Sequence, residues 1–299
     1  STSGSEPFDD SYPEVYTHTL AVAKDGSLYG WGCNDCGQIT GTSPSNYEES
    51  TNIGEPTFMI GNIKQASAGT GLSAAVSTSG ALIVWGGAYD EEGPSSRVIK
   101  TDVAAVEVGS GIREVLFILN PDGTVEVMNA ATRSSKKVMD GVQKIHGVEG
   151  YNASCLALKK DGSLWLIESG QFGDDTQTTR IMNDVISAAA YSRDLLEYED
   201  KPLYVVNKAG QLLKSVDSNL KNFSVVMEGI VSVSAGRTHA LAVTTDGKVV
   251  AWGSNGCGQL GNGETVFETE KPVAVSGMDN ALSVTVGGGG SFALVVKSD

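Results

Sequence analysis

Acid–base or nucleophilic chemistry in this chain would depend on three histidines, His18, His146 and His239. Histidine is the side chain that most often supplies general acid–base catalysis near neutral pH. His18 and His239 occupy the same position in two copies of a duplicated segment, which is typical of a structural residue. His146 ends a β-branched stretch and has no partner in the sequence. We therefore expect no catalytic residue of the Ser-His-Asp or Cys-His type.

Four cysteines could supply redox or metal chemistry, and two of them form a C-x-x-C motif at Cys33 and Cys36. A structural zinc site needs four ligands, and the sequence has no second C-x-x-C and no paired histidines. A redox motif normally opens a helix, whereas this one follows a strand pattern. Plain loop thiols and a local disulfide both stay open, and Cys155 is expected in the core. We expect no metal and no cofactor.

Acidic residues occur in short runs, at Asp90-Glu91-Glu92, Asp174-Asp175 and Glu197–Asp200, without the spacing of a calcium loop. The whole chain has 21 Lys and Arg against 36 Asp and Glu, a net charge of −15. Because nucleic-acid binding requires positive charge to replace counterions, a nucleic-acid partner is excluded. A hydrolase with paired carboxylates stays an alternative, since the separation that matters is spatial.

A duplication determines how these residues are positioned. Residues 237–261 restate residues 16–40 in register, and weaker copies follow a repeated turn glycine at a period of about 45 residues. The turn glycines are Gly26, Gly80, Gly123, Gly162, Gly210 and Gly247. Four of these glycines are followed by a strand that carries a tryptophan on the same face: Trp31, Trp85, Trp165 and Trp252. These residues, with His18 and His239, are interpreted as structural parts of the repeat.

Each unit contains a β-branched stretch, a small-residue break, an apolar strand, a turn and a further strand, so the chain is predicted to be all-β. A seventh start lies at Ala281 to Val286, which favours seven blades, one incomplete or shared by the termini, over six. We expect one propeller domain at residues 15–299 and a flexible tether at residues 1–14. No run of 18 apolar residues occurs, so no membrane span is expected.

Residues 235–261 carry the full pattern Ala-Gly-x-x-His-x-Leu-Ala-Val-x-x-Asp-Gly-x-Val-x-x-Trp-Gly-x-Asn-x-x-Gly-Gln-Leu-Gly. This pattern resembles the repeat of the regulator of chromosome condensation family, in a diverged, bacterial-like form. The resemblance implies a β-propeller of four-stranded blades. Family members include a nucleotide exchange factor, a photoreceptor and secreted inhibitors of β-lactamase, so the fold does not select a function. Protein binding is the function that this sequence restricts least.

Segments after the Trp-Gly positions differ between copies and are the expected recognition loops. The inserts are read as Gly41 to Pro56, Gly87 to Gly93, Gln171 to Gln177 and Asn262 to Lys271. The candidate binding residues are Tyr47, Glu48, Glu49, Tyr89, Asp90, Glu91, Phe172, Asp174, Asp175, Tyr198 and Phe267. If they share a face, they form an acidic rim with aromatics that suits a protein or carbohydrate partner; ordinary loop drift is the alternative.

The expected function is therefore a non-enzymatic, monomeric binding module, located outside the cytoplasm as a secreted or tethered protein. The Ser- and acid-rich segment Ser1 to Asp10 suits such a tether. A propeller hydrolase and a structural module of a longer surface protein are the alternatives.

Overall fold

A computed structural model describes residues 18–41, 52–69, 71–87, 97–109, 115–148, 153–170, 175–190, 202–236, 238–265, 267–286 and 293–297. Within these ranges the chain forms strands and turns, grouped into seven antiparallel sheets. The first sheet contains β1 (His18–Val22), β2 (Leu28–Gly32) and β3 (Ile53–Ile60). The second contains β4 (Ile63–Ala68), β5 (Leu72–Ser77), β6 (Leu82–Gly86) and β7 (Arg97–Lys100). The third contains β8 (Ala105–Gly109), β9 (Val115–Leu119), β10 (Val125–Asn129) and β11 (Ser135–Met139).

The fourth sheet contains β12 (Val142–Val148), β13 (Ala153–Lys159), β14 (Leu164–Ser169) and β15 (Thr176–Met182). The fifth contains β16 (Val185–Ala189), β17 (Tyr204–Asn207), β18 (Leu212–Ser215) and β19 (Phe223–Met227). The sixth contains β20 (Ile230–Ala235), β21 (His239–Thr244), β22 (Val249–Ser254) and β23 (Glu268–Ala274). The seventh contains β24 (Ala281–Val286) and β25 (Ala293–Lys297).

Strands follow one another across each four-stranded sheet in chain order, from an inner strand through a second and a third to an outer strand. The described strands of the first sheet are the second, third and outer ones, and those of the seventh are the inner and second ones. This meander gives every sheet two different ends. The second-to-third hairpins and the connections to the next sheet lie at one end, called the turn end. The inner-to-second and third-to-outer connections lie at the other, called the loop end. In the second sheet, for example, Ile63 pairs with Ser77 at the turn end and Ala68 pairs with Ser73 at the loop end.

Apolar side chains fill the space between neighbouring sheets. Six buried clusters occupy the six successive junctions from the first sheet to the seventh. The third-to-fourth junction, for example, buries Phe117, Val127 and Ile167. Stacking buries both faces of the central strands, which is why β5, β9 and most of β13 are buried along their whole length.

Every turn glycine bonds to the next sheet. Each glycine has positive φ, between 76° and 89°, as a tight hairpin requires. Its carbonyl accepts a hydrogen bond from the amide that begins the next inner segment. The six bonds join Ile63 to Gly26 (2.9 Å), Val103 to Gly80 (2.9 Å), Val142 to Gly123 (2.9 Å), Val185 to Gly162 (3.0 Å), Ile230 to Gly210 (2.9 Å) and Ala281 to Gly247 (2.8 Å).

The all-β propeller prediction is confirmed, and the described sheets match seven blades, with three strands in the first and two in the seventh. The insert boundaries were wrong at three places. The outer strands β3, β15 and β23 begin at Ile53, Thr176 and Glu268, before the predicted inserts end. Outer strands are exposed on one side and carry polar residues, as in Thr-Gln-Thr-Thr-Arg of β15, so their composition resembles that of loops.

Gly123→Ala tests the link at the turn end. A Cβ at Gly123 would lie 3.0 Å from the Val142 carbonyl oxygen, and φ is +89°. We expect the free energy of unfolding to fall by about 1–3 kcal/mol, measured by urea denaturation. Gly54→Ala is the control, because a Cβ there meets nothing within 4 Å. Equal stability of the two variants would contradict the assigned role of the turn glycine.

Candidate functional site

The duplicated loop after Trp-Gly is shaped by its own polar side chains. Asn34 is buried, and its Oδ1 accepts the amides of Ile39 and Thr40 at 2.9 and 3.0 Å. Gln38 Oε1 accepts the Cys36 amide at 2.8 Å. The other copy repeats this arrangement, because Asn255 Oδ1 accepts the Leu260 amide and Gln259 Oε1 accepts the Cys257 amide. The repeated Asn and Gln therefore hold backbone groups of the loop.

His18 lies at the junction between the first and second sheets. Its Nε2 is 2.7 Å from Ser73 Oγ, and Ser73 Oγ donates to the Gln38 carbonyl at 2.6 Å. Trp85 Nε1 donates to the same carbonyl at 2.8 Å. Because the serine hydrogen is used, His18 Nε2–H is the donor to Ser73. Burial lowers the pKa of His18 to about 4, so the ring is neutral at pH 7.

The other repeat residues are buried or partly buried, and Trp252 joins two sheets. Trp252 Nε1 donates to Tyr204 Oη at 2.9 Å, and the two rings meet edge to face at 5.2 Å. His239 is buried in the second strand of the sixth sheet. Trp165 Nε1 donates to Ser163 Oγ at 2.9 Å, with the Lys159 ammonium 5.6 Å from the ring centre. Trp31 is partly buried in β2.

All four cysteines are free thiols. Burial raises the pKa of Cys33 and raises that of Cys155 well above its usual range, so both stay protonated at neutral pH. Cys155 is fully buried, as predicted. No group of three or more His, Cys, Asp or Glu side chains in the described ranges is placed to hold a metal. None of these segments forms a helix with the length and apolar character of a membrane span.

Two of the eleven candidate binding residues, Asp175 and Phe267, lie in the described ranges. They precede the outer strands of the fourth and sixth sheets, which are not neighbours, so the structure does not bring them together. Both are exposed, Phe267 at 80%. The candidates outside the described residues are Tyr47, Glu48, Glu49, Tyr89, Asp90, Glu91, Phe172, Asp174 and Tyr198.

Inner strands are joined around the axis by side chains at two positions. In each inner segment, the residue whose amide bonds to the turn glycine is counted as the first position. The side chains at the third and fifth positions then reach the next inner strand. The bonds run from Val106 N to Gln65 Oε1 (2.9 Å), Val108 N to Ser67 Oγ (3.0 Å), Val233 N to Ser187 Oγ (3.3 Å) and Val286 N to Ser234 Oγ (3.1 Å). The sequence repeat did not single out these residues, because the two positions vary in type.

Glu107 occupies the fifth position of the third sheet. It accepts a hydrogen bond from Ser67 Oγ at 3.0 Å and one from the Gly147 amide. Removal from water raises the pKa of the Glu107 carboxyl to about 7, although these two bonds and the nearby Lys144 ammonium act in the opposite direction. Among the described residues it is the one carboxyl group whose pKa is raised. A hydrolase would need a second carboxylate close by, and the described residues do not supply one.

The fourth-to-fifth junction differs from the others. Its third and fifth positions are Lys144 and His146, and no hydrogen bond between described residues joins β12 to β16. A cavity of about 270 Å³ lies here, lined by the inner strands β12, β16, β20 and β24 and by the apolar side chains of Leu156, Leu158 and Leu164. Burial, with a smaller effect of Lys144, lowers the pKa of His146 to about 4.

Known proteins show the same repeat. Sequence profiles of the regulator of chromosome condensation (RCC1) repeat match residues 15–38 and 230–259, and a second such profile matches residues 246–294. Human regulator of chromosome condensation is 24% identical over 93% of this chain and 67% of its own length. The matched segments are RCC1-type repeats, carried on a propeller fold. The human E3 ubiquitin-protein ligase HERC2 is also 24% identical, but the chain spans 6% of that ligase.

Solved structures agree with the fold of this RCC1-type propeller. Prp20p from Saccharomyces cerevisiae superposes with a TM-score of 0.66 at 19% identity, covering 91% of this chain and 78% of Prp20p. Human WBSCR16 gives a TM-score of 0.68 at 16% identity, covering 95% of this chain and 86% of that protein. At these identities the likeness establishes the propeller architecture and leaves the binding properties to this chain's own residues.

Glu107→Gln tests whether the raised pKa of the Glu107 carboxyl makes the stability of the chain depend on pH. The folded pKa of Glu107 is above its unfolded value, so its protonated form stabilises the fold, and this contribution is lost as pH rises from about 4.5 through about 7. Gln stays neutral. The stability of Glu107→Gln relative to the original chain should therefore rise by about 1–2 kcal/mol between about pH 5 and about pH 8.

Thermal or urea unfolding of both proteins at the two pH values measures this difference. His18 and His146 have lowered pKa values, so their contribution rises with pH between about 4 and 6.5, but it is common to both proteins. The difference between the proteins therefore isolates Glu107. A stability difference that does not change with pH would show that the Glu107 carboxyl is ionised without penalty.

Proposed function

We propose that this propeller is a non-enzymatic protein-binding module whose loop end docks a partner with a basic surface. The observation that carries the proposal is the difference in charge between the connections at the two ends of the sheets. The loop end is where the third strand leaves for the outer strand and where the inner strand leaves for the second. Recognition residues of repeat proteins commonly lie on such connections. The sheets keep the ends of each connection in place, so the sequence of the connection can change without loss of the fold.

The segments between strand ends at the loop end are strongly acidic in sequence. Those that lie between the described ranges contain twelve acidic and four basic residues. The acidic residues are Glu48, Glu49, Asp90, Glu91, Glu92, Glu114, Glu149, Asp174, Asp194, Glu197, Glu199 and Asp200. The basic residues are Arg113, Arg193, Lys201 and Arg237. Most of the net charge of −15 is therefore carried by these connections and the chain termini.

The turn end is closer to electrical balance. Several of its carboxylates are paired with lysines, as Asp184 is with Lys208, Asp246 with Lys248 and Asp279 with Lys297, at 3.1, 2.8 and 2.9 Å. A basic partner would therefore be attracted to the loop end rather than to the turn end. Such complementarity raises association rates and selects the docking orientation.

Relatives of the same architecture are consistent with protein binding. Yeast Prp20 has been crystallised with Kap60 bound, and Prp20p has been studied for its binding to Gsp1p and histones. The ligase activity of HERC2 is not carried over, since this chain matches a small part of that protein. A carbohydrate partner, a monomeric state, an extracellular location and a role as a structural module of a longer surface protein stay predictions.

Affinity capture with the immobilised full chain, from an extract of its source cells, tests the proposal. We expect a basic protein to bind at low salt and to be released as salt rises, because screening weakens charge attraction. Replacing Asp90, Glu91 and Glu92 by Asn, Gln and Gln should weaken the captured complex about fivefold or more at low salt, mainly through a slower association rate.

The matched control replaces Asp102 and Asp140 by Asn and Glu228 by Gln, which makes the same change in net charge at the turn end. Similar weakening by both triple variants would show that only overall charge matters and would contradict loop-end docking. If no protein is captured and the chain binds to an array of glycans, the proposal of a protein partner is wrong and the partner is a carbohydrate.

A further inference from the structure

The axial cavity at the fourth-to-fifth junction has the chemistry of a ligand site. At other junctions a side-chain oxygen at the third or fifth position accepts an amide of the next inner strand, as Ser67 and Ser234 do. At this junction Lys144 and His146 occupy those positions, and the described inner strands β12 and β16 are not joined by hydrogen bonds. The fifth sheet instead contacts the fourth through β13. The missing link leaves the space that the cavity occupies.

Hydrogen-bond donors converge on this space. Ser187 Oγ and Ser234 Oγ already accept backbone amides, which leaves their hydroxyl hydrogens free to donate. The hydroxyls of Ser232, Ser283 and Thr285 also line the cavity, and none of them has a hydrogen-bond partner among the described residues. Three successive inner strands, β16, β20 and β24, thus contribute five hydroxyl groups.

Charge in the cavity has the opposite sign to the charge of the protein. Lys144 is the one Lys or Arg among its lining residues, and no Asp or Glu is among them. Lys144 makes no ion pair or hydrogen bond with another described residue. Its ammonium acts on the nearby Glu107 carboxyl and lowers the pKa of that group, but Glu107 accepts hydrogen bonds from Ser67 and Gly147 and does not line the cavity. An exposed ammonium and several hydroxyl groups lining the same cavity suit one anionic, acceptor-rich group.

The remaining wall is apolar. Leu156, Leu158 and Leu164 form one side, and Val233 and Val284 lie among the hydroxyls. Ile186 also lines the cavity and is 41% exposed near the turn end, so the cavity reaches the surface there. The volume of about 270 Å³ is just below the range of drug-sized ligand sites. We propose that the axial cavity binds a small aliphatic monocarboxylate, with its carboxylate at Lys144 and the serine hydroxyls and its chain against the leucines.

Titration of the full chain with hexanoate, followed by the NMR signals of its methyl groups, tests this inference. We expect saturable shifts at Ile145, Ile186, Val233 and Val284, which line the cavity. Hexanamide has the same chain without the charge, and inorganic phosphate has charge without the chain. Both should bind more weakly than hexanoate, because hexanamide lacks the charge that pairs with Lys144 and phosphate lacks the chain that packs against the leucines.

Lys144→Gln should weaken hexanoate binding about tenfold or more, the loss expected for a charge-assisted hydrogen bond. Lys136→Gln is the matched control, since Lys136 is exposed on the outer strand β11. Ser232→Leu should abolish binding by filling the cavity while leaving the thermal unfolding midpoint of the chain close to its original value.

No saturable shift with any straight-chain carboxylate from butanoate to octanoate would overturn the proposal. Equal affinities of Lys144→Gln and Lys136→Gln would also overturn it, because the ammonium would then have no part in recognition. Binding of phosphate as tight as that of hexanoate would contradict the aliphatic class. The experiment uses the chain without a protein partner, so its outcome is independent of docking at the loop end.

Discussion

In each second-to-third hairpin, a glycine carbonyl accepts the amide that begins the next inner segment, at 2.8–3.0 Å. This bond ties each sheet to its successor at the point where the chain passes between them. It needs a residue with positive φ, which favours glycine, and at Gly123 a Cβ would also meet the Val142 carbonyl oxygen at 3.0 Å. The same glycine therefore makes the hairpin tight and sets the spacing of the sheets. Apolar clusters between sheets depend on that spacing.

With the turn ends fixed, the other surfaces of the propeller can vary. At the loop end, the repeated Asn and Gln side chains hold the backbone that directly follows Trp-Gly in the first and sixth sheets, and the sequence between strands at this end varies in length and is rich in acidic residues. On the axis, side chains at the third and fifth positions replace one another as links between inner strands, from Gln65 to Glu107 to Ser234. Lys144 and His146 interrupt these links, and a cavity takes their place.

The sequence predicted the parts of the fold that repeat and missed those that do not. The turn glycines, Trp252 and His18 recur, so the hairpins and the residues between sheets were predictable. The outer strands were confused with loops because they are polar. The expectation of four strands in each blade came from the family resemblance. Lys144 and Glu107 were missed, since only the ring of inner strands brings residues about 40 positions apart together. Their signal was a charged residue at an inner-strand position. Lys144 stands at the third position, where the other units have Gln, Ala or Ser, and Glu107 stands at the fifth, where they have Ser, His, Ala or Thr.

The central claim is that glycine carbonyls of the turns hold consecutive sheets together. Amide hydrogen exchange tests it most directly at the six donors, Ile63, Val103, Val142, Val185, Ile230 and Ala281. These amides lie at the turn end, where unbonded groups exchange quickly, so the account predicts that they exchange as slowly as the amides of the buried strands β9 and β13. Exchange as fast as that of exposed turn residues such as Asp25 and Asp161 would contradict it, because the sheets would then be held by apolar packing and by the side-chain bonds between sheets.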